Sequence, residues 1–216
     1  MMLIEYVLLE EKVFMETKLP DISSFWNDER IALYESAMEK VIVEIKQYDQ
    51  DYYRKTQNHL VRFVEKRLKT TDSIAQKVER KKKPEGKTLE EMINDLAGVR
   101  VICFDTKQIY MLARMIGKSS QFEIIKVKDY VRKPKDNGYQ SYHIILGIDG
   151  IKVELQIRTI LMDAWSSLDS ILVYKKTDPI SEEMKANIQR FAKWGRKMDK
   201  MVTRMMKQKL EKCNCD

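Results

Sequence analysis

Residues Lys152 to Thr159 constrain the fold of this chain most tightly. The run alternates with a period of two: Val153, Leu155 and Ile157 fall on one side, and Lys152, Glu154, Gln156 and Arg158 on the other. Successive side chains point to opposite faces of a strand, so this is a β-strand with one apolar and one wholly polar face. The polar face presents a cation, a carboxylate, an amide and a second cation. Such a row is either solvated or the floor of a site for a metal and phosphate, and ordinary half-buried strands look the same.

The segment upstream adds chemistry to that face. Lys133 to His143 forms a loop with two lysines, a proline and an Asn-Gly turn, and it runs into the apolar strand Ile144-Ile145-Leu146. Asp149-Gly150 then separates two apolar runs, which is a hairpin signal. The hairpin sets Tyr139 and His143 beside the Glu154 face. Read alone, Tyr139 is as readily a loop aromatic covering the core.

The rest of the chain reads as alternating helices and strands. Helices are expected over Asn27–Tyr53, from the capping box at Ser73 to Lys82, from Thr88, and over Lys107–Ile116, Ile160–Tyr174 and Ser181–Lys212. Pro84-Glu85-Gly86 and Asp178-Pro179 are breaks. The basic segment Arg54–Lys69 is expected to be partly helical. Gly98–Phe104 and Ile124–Val127 add strands. This order gives an α+β domain with a mixed sheet and packed helices. Met184, Ile188, Phe191, Met198, Val202 and Met205 make a stripe on the last helix, expected to be core rather than a ligand site.

A length of 216 residues suits one domain with helical extensions. The net charge of +7 suits a polyanionic substrate, RNA or another acidic partner. The excess is scattered except at Arg80-Lys81-Lys82-Lys83. Cys103 sits in an apolar strand, and Cys213 and Cys215 alone offer too few ligands for structural zinc. That usage fits a reducing, cytoplasmic setting. Met1 to Phe14 carries Glu5, Glu10 and Glu11 and no basic start, so it is not a signal peptide. No run is long enough to cross a membrane.

Arg67 and Lys69 precede the helix that begins near Ser73, and Lys77 lies one turn in. Free N–H groups and the dipole make a helix start an anion site. The alternative is a simple cap with solvated cations. Asp95, after Asn94, reads by itself as a turn or cap residue.

Four linked stretches together resemble the alarmone synthetase domain of the RelA/SpoT family: Asp95-Leu96-Ala97-Gly98-Val99-Arg100, Lys128-Asp129-Tyr130, Pro134-Lys135 to His143, and Val153 to Thr159. They stand in the family order and cover roughly Arg67 to Lys175. The length resembles the single-domain small synthetases. The resemblance implies a nucleotidyltransferase-like core of about five strands at 67–176, with an N-terminal helical extension at 1–66 and a C-terminal helix at 177–216.

The implied activity is (p)ppGpp synthesis: transfer of the β,γ-pyrophosphate of ATP to the 3′-hydroxyl of GDP or GTP, with release of AMP. Arg67, Lys69, Ser73, Lys77 and Arg100 match the ATP-binding positions. Lys135, Asn137, Tyr139, His143 and Gln156 match the guanine-nucleotide pocket, with Tyr139 stacked on the base. Asp95 and Glu154 match the Mg²⁺ and catalytic positions. His59 and His143 are the only histidines, so the metal-dependent hydrolase of the long family members is not expected. Where the family pattern has Ser-Leu-Glu-His, this chain has Ser167-Leu168-Asp169-Ser170, which bears on the choice of acceptor. A toxin that pyrophosphorylates the 3′ end of tRNA is therefore the alternative, with Arg80–Lys83 and Lys87 as its basic track. A non-catalytic nucleotide- or RNA-binding module is a more distant one. Self-association through the terminal helices is the expected oligomer, if any forms.

Overall fold

The computed structural model describes residue 22 and residues 24–80, 88–172 and 180–213. The elements are α1 (Asp28–Thr56), β1 (Val61–Leu68), α2 (Thr71–Arg80), α3 (Leu89–Met92), β2 (Ala97–Cys103), α4 (Thr106–Ile116), β3 (Glu123–Asp129), β4 (Tyr142–Ile148), β5 (Ile151–Thr159), α5 (Ile160–Leu172) and α6 (Glu182–Cys213). The strands form one mixed sheet in the order β1-β2-β5-β4-β3. Only β2 and β5 pair in parallel, and they lie at its centre. The α+β architecture with a mixed five-stranded sheet is the one expected. The run Lys81–Lys83 with Lys87, the Pro84 and Asp178 breaks, Met1–Phe14 and Cys215 lie outside the described residues.

The core sits under the apolar face of β5. Val153, Leu155 and Ile157 are fully buried, and α1 contributes Tyr34, Met38, Val41 and Ile45 at helical spacing to the same cluster. Ile109, Leu112 and Ile116 of α4 complete it. Asn27 caps α1, and Asp105 and Gln108 form a capping box on α4. The β4–β5 hairpin turns at Asp149 and Gly150, with φ of 49° and 80°. Two successive left-handed residues suit the two-residue turn that matches strand twist. Lys40 of α1 pairs with Asp149 and ties this turn to the helix.

Three local expectations are refined or corrected. Within Arg54–Lys69 the helical part is the end of α1, to Thr56, and residues 61–68 form an edge strand. Register shifts between Val61 and Phe63, so the inward-facing residues become Val61, Val64 and Leu68. That bulge gives a strand the three-then-four spacing of a helix. The α2 helix begins at Thr71, and Thr70 is the hydroxyl that accepts from Ser73 N, at 3.3 Å. Ser73 is therefore inside the first turn rather than its cap. Among the described apolar side chains of α6 only Ile188 and Ala192 are buried, while Met184, Met198 and Met205 are exposed. The helix outruns the core it packs on.

Among the described residues no helix is long and apolar enough to cross a membrane. The free Cys103 is buried, which pushes its thiol pKa up.

Asp199 anchors α6 to the end of β5. It is buried and accepts a hydrogen bond from Thr159 Oγ1 at 2.9 Å. Burial pushes its carboxyl up, the Thr159 bond opposes this, and the charge of Asp105 adds to it; the result is a pKa of about 6. Between the unfolded value of 3.8 and about 6, the folded chain keeps a proton that the unfolded chain has lost. Stability contributed by this group therefore falls as pH rises through that window, by up to about 3 kcal/mol at 1.36 kcal/mol per unit. Asp199→Asn should remove that slope and leave the protein more stable than wild type at pH 7, as read by urea unfolding at pH 4.5 and 7.

Candidate active site

Register alone assembles most of the site. On the polar face of the sheet, Glu65, Arg100, Gln156, His143 and Lys128 form one row across β1, β2, β5, β4 and β3. The next row holds Arg67, Gly98 and Glu154. Gly98 contributes no side chain, so a gap opens between the arginine and the carboxylate. The rows floor an open cleft of about 920 Å³, at the upper end of the roughly 300–1,000 Å³ of small-ligand pockets. Arg67, Lys69, Lys77, Asp95, Arg100, Lys135, Asn137, Tyr139, His143, Glu154 and Gln156 all line it. Of the expected site residues only Ser73 does not; its hydroxyl accepts from Thr70 Oγ1 at 3.0 Å.

One end of the cleft is cationic around a single carboxylate. Lys77 Nζ donates to Asp95 Oδ1 at 2.6 Å and Lys69 Nζ to Oδ2 at 3.1 Å. Burial pushes the Asp95 carboxyl up, but the bonds and charges of Lys77 and Lys69 outweigh it and hold it below the usual range. Trp26 Nε1 donates to the Lys69 carbonyl and Lys69 N to the Leu96 carbonyl, both at 2.8 Å, which fixes the backbone here. Asp95 itself sits in the turn before β2.

The other end is a closed ring of hydrogen bonds. Arg158 Nη2 donates to Tyr139 Oη and to Gln156 Oε1, each at 2.8 Å. Gln156 Nε2 donates to Glu154 Oε2 at 2.6 Å. His143 bridges the remaining side, with Nδ1 3.0 Å from Glu154 Oε1 and Nε2 2.8 Å from Tyr139 Oη. Burial raises the Glu154 carboxyl, but its bond and charge from His143, then the Gln156 bond, bring it below its ordinary value. Both carboxylates are therefore ionised at neutral pH. Lys135 Nζ lies 4.9 Å from the Tyr139 ring centre and Arg158 Cζ 5.3 Å. Of these two cations Lys135 is exposed and Arg158 is buried.

Asp163 of α5 joins the two ends. Its Oδ1 lies 3.3 Å from Arg158 Nη1 and 3.7 Å from Arg100 Nη1. Burial lowers the Arg100 pKa, and the charge of Arg158 lowers it further against the pull of Asp163 and Glu65. Arg100 Nε is buried without a hydrogen-bond partner among the described residues. Sequence reasoning missed Asp163, Lys128 and Arg158 as site residues. Lys128 and Arg158 carried a signal, since one lies in a recognised stretch and the other ends the polar face of β5. Asp163 carried none, being one acidic residue in the first turn of a helix. Asp169 and Ser170 also line the cleft, so the departure at these positions faces the site. Burial raises the Asp169 carboxyl against the charge of Lys135.

Residues 66–179, just over half of the chain, match the model of a region found in RelA / SpoT proteins. The chain belongs to the RelA/SpoT family. GTP pyrophosphokinase YwaC of Bacillus subtilis is 29% identical over 199 residues, covering 88% of this chain and 94% of the relative. Among solved structures, small alarmone synthetase 2 of Bacillus subtilis superposes with a TM-score of 0.75 at 29% identity, over 85% of this chain and 99% of that one. Small alarmone synthetase 1 of the same organism, bound to its product pppGpp, gives 0.73 at 28% identity, over 83% and 96%. Membership of the RelA/SpoT family and the likeness to small synthetases agree with the resemblance seen in the sequence.

The Asp163 bridge is testable by stability. Asp163→Asn leaves the buried Arg158 with neutral acceptors and Arg100 with Glu65 alone. Loss of a hydrogen-bonded charge partner should cost about 1–3 kcal/mol in urea unfolding; an unchanged midpoint would show that the bridge carries no energy.

Proposed function

We propose that this chain is a (p)ppGpp synthetase that transfers the β,γ-pyrophosphate of ATP to the 3′-hydroxyl of GDP or GTP. The observation that carries the reading is one cleft with two ionised carboxylates, Asp95 at its lysine-rich end and Glu154 in the hydrogen-bonded ring at the other. The end with Arg67, Lys69, Lys77 and Arg100 suits a triphosphate, and a guanidinium plane suits the adenine. The end with Lys135, Asn137, Tyr139, His143 and Gln156 suits a guanine nucleotide. The names of the relatives support the same reading: YwaC is a GTP pyrophosphokinase, and small alarmone synthetase 1 is bound to pppGpp as product.

In this reaction Glu154 accepts the proton of the 3′-hydroxyl. The 3′-oxygen bonds to the β-phosphorus as the bond from that phosphorus to its α-bridging oxygen breaks, and AMP leaves. Glu154 receives hydrogen bonds on both oxygens, so its orientation is set before the acceptor arrives. Arg67, Lys69 and Lys77 stabilise the charge on the moving phosphates.

Mg²⁺ is the metal of this reading, and the donor set fits it. Asp95 and Glu154 are hard oxygen donors on one cleft, and Mg²⁺ uses one or two carboxylates besides phosphate and water. These two residues would hold it, and when bound it neutralises triphosphate charge. The same reading has the chain make alarmone without hydrolysing it, supported by the scarcity of histidine: His59 is paired with Asp49, and His143 belongs to the ring. A reducing compartment and self-association through the terminal helices are part of it, the latter supported by exposed Trp194, Met198, Met201 and Met205 on α6.

Label transfer from ATP labelled on its γ-phosphate tests the reading, with GDP, GTP and bulk tRNA as acceptors. Label on GDP or GTP is expected, whereas label on the tRNA 3′ end would replace the acceptor. Glu154→Gln should lower transfer by about 10²–10⁴-fold in a protein that circular dichroism shows to be folded. A folded Glu154→Gln protein with near-normal turnover removes the residue from the chemistry.

Tyr139→Ala should lose about 1–3 kcal/mol of acceptor binding, the scale of base–aromatic stacking, and spare ATP binding. Titration calorimetry with each nucleotide separates the two; equal losses would make Tyr139 a structural residue.

A further inference from the structure

We propose that a second anion site, distinct from the cleft, lies between the 131–138 loop and α6 and takes a short chain of linked phosphates. The groove there has a volume of about 570 Å³. Arg132 and Lys135 line it from the loop, and Lys193, Arg196 and Lys200 from α6. The three helix cations stand three and four residues apart, on one face. They span roughly 10 Å of helix at 1.5 Å per residue, which suits several phosphates rather than one.

Its charge is not compensated from within. Among the described residues none of the five cations forms an ion pair, and Asp136 is the one carboxylate lining the groove. Like charges on neighbouring turns destabilise a helix, so the stripe works against folding unless an anion meets it. The walls are nevertheless held together at their base. Gly138 has a φ of +95°, and a Cβ there would lie 2.5 Å from Ala192 Cβ, so loop backbone rests directly on α6. Gln189 Nε2 donates to the Asp136 carbonyl at 3.4 Å, and Gly138 N to the Lys135 carbonyl at 2.8 Å. A groove fixed before binding loses little entropy when filled.

The lining also says what the ligand lacks. Among the described residues no aromatic or histidine ring lines the groove, so they offer no platform for a base. Recognition is by phosphate charge, whether of free polyphosphate or of a triphosphate tail. Lys135 lines both groove and cleft, so the occupant lies against the acceptor loop.

Titration calorimetry of the full chain with inorganic tripolyphosphate tests this, beside the same titration with GTP. The variant Lys193→Glu with Lys200→Glu changes two exposed residues outside the cleft. A control variant, Lys46→Glu with Lys55→Glu, makes the same charge change on exposed positions of α1. The wild type should show one more tripolyphosphate binding event than the groove variant, or bind at least tenfold more tightly, and the control should match the wild type. Loss for tripolyphosphate alone assigns the groove to free polyphosphate; loss for GTP as well assigns it to any triphosphate tail. Equal binding by the wild type and the groove variant, or an equal loss in the control, overturns the proposal. The result does not depend on pyrophosphate transfer, so it stands apart from the synthetase reading.

Discussion

The pairing of β5 with β2 in the middle of the sheet is the constraint on which the site rests. Burial of Val153, Leu155 and Ile157 on one face forces Glu154, Gln156 and Arg158 onto the other. Parallel pairing then sets Gly98 beside Glu154 and Arg100 beside Gln156, while antiparallel pairing sets His143 beside Gln156 from the far side. A slip of one residue would turn the polar row into the core and the apolar row into the cleft. The hydrophobic effect thus selects the register, and the register selects which charges meet. No loop has to find its place for Arg100, Glu154 and His143 to come together.

The sequence was most legible where one rule decided the structure. The hairpin at Asp149-Gly150 follows from turn chemistry, and the face of Glu154 follows from alternation; both are as read. Legibility failed where two rules competed. In β1 the bulge near Val61 broke the period of two, so inward positions imitated a helix. At α2 two hydroxyls, Thr70 and Ser73, stood within reach of the same helix start, and the earlier one capped it. On α6 the periodicity was real but longer than the core that could cover it, leaving Met198 and Met205 in solvent.

The site was legible in its strands and loops but not in its connections. The expected site residues came from the recognised stretches and from the start of α2, and all but Ser73 face the cleft. What no stretch disclosed is how they hold each other. Asp163 reaches two arginines from a helix packed over the sheet, a relation set by tertiary packing and not by spacing. The ring through Arg158, Tyr139, His143, Glu154 and Gln156 likewise needs both the hairpin register and the loop conformation at once. Contacts such as Arg158 to Tyr139, 19 positions apart, and His143 to Glu154, 11 apart, have no local signature.

The lysine clasp on Asp95 has a consequence for what can enter the cleft. Lys69 and Lys77 share the single negative charge of that carboxylate, so both are already paired although the trio keeps one net positive charge. An occupant gains from these lysines only by offering them oxyanions in exchange. A nucleoside without phosphates leaves the clasp shut, however well its base fits. On the proposed reading, discrimination between nucleoside and nucleotide comes from this exchange of counter-ions.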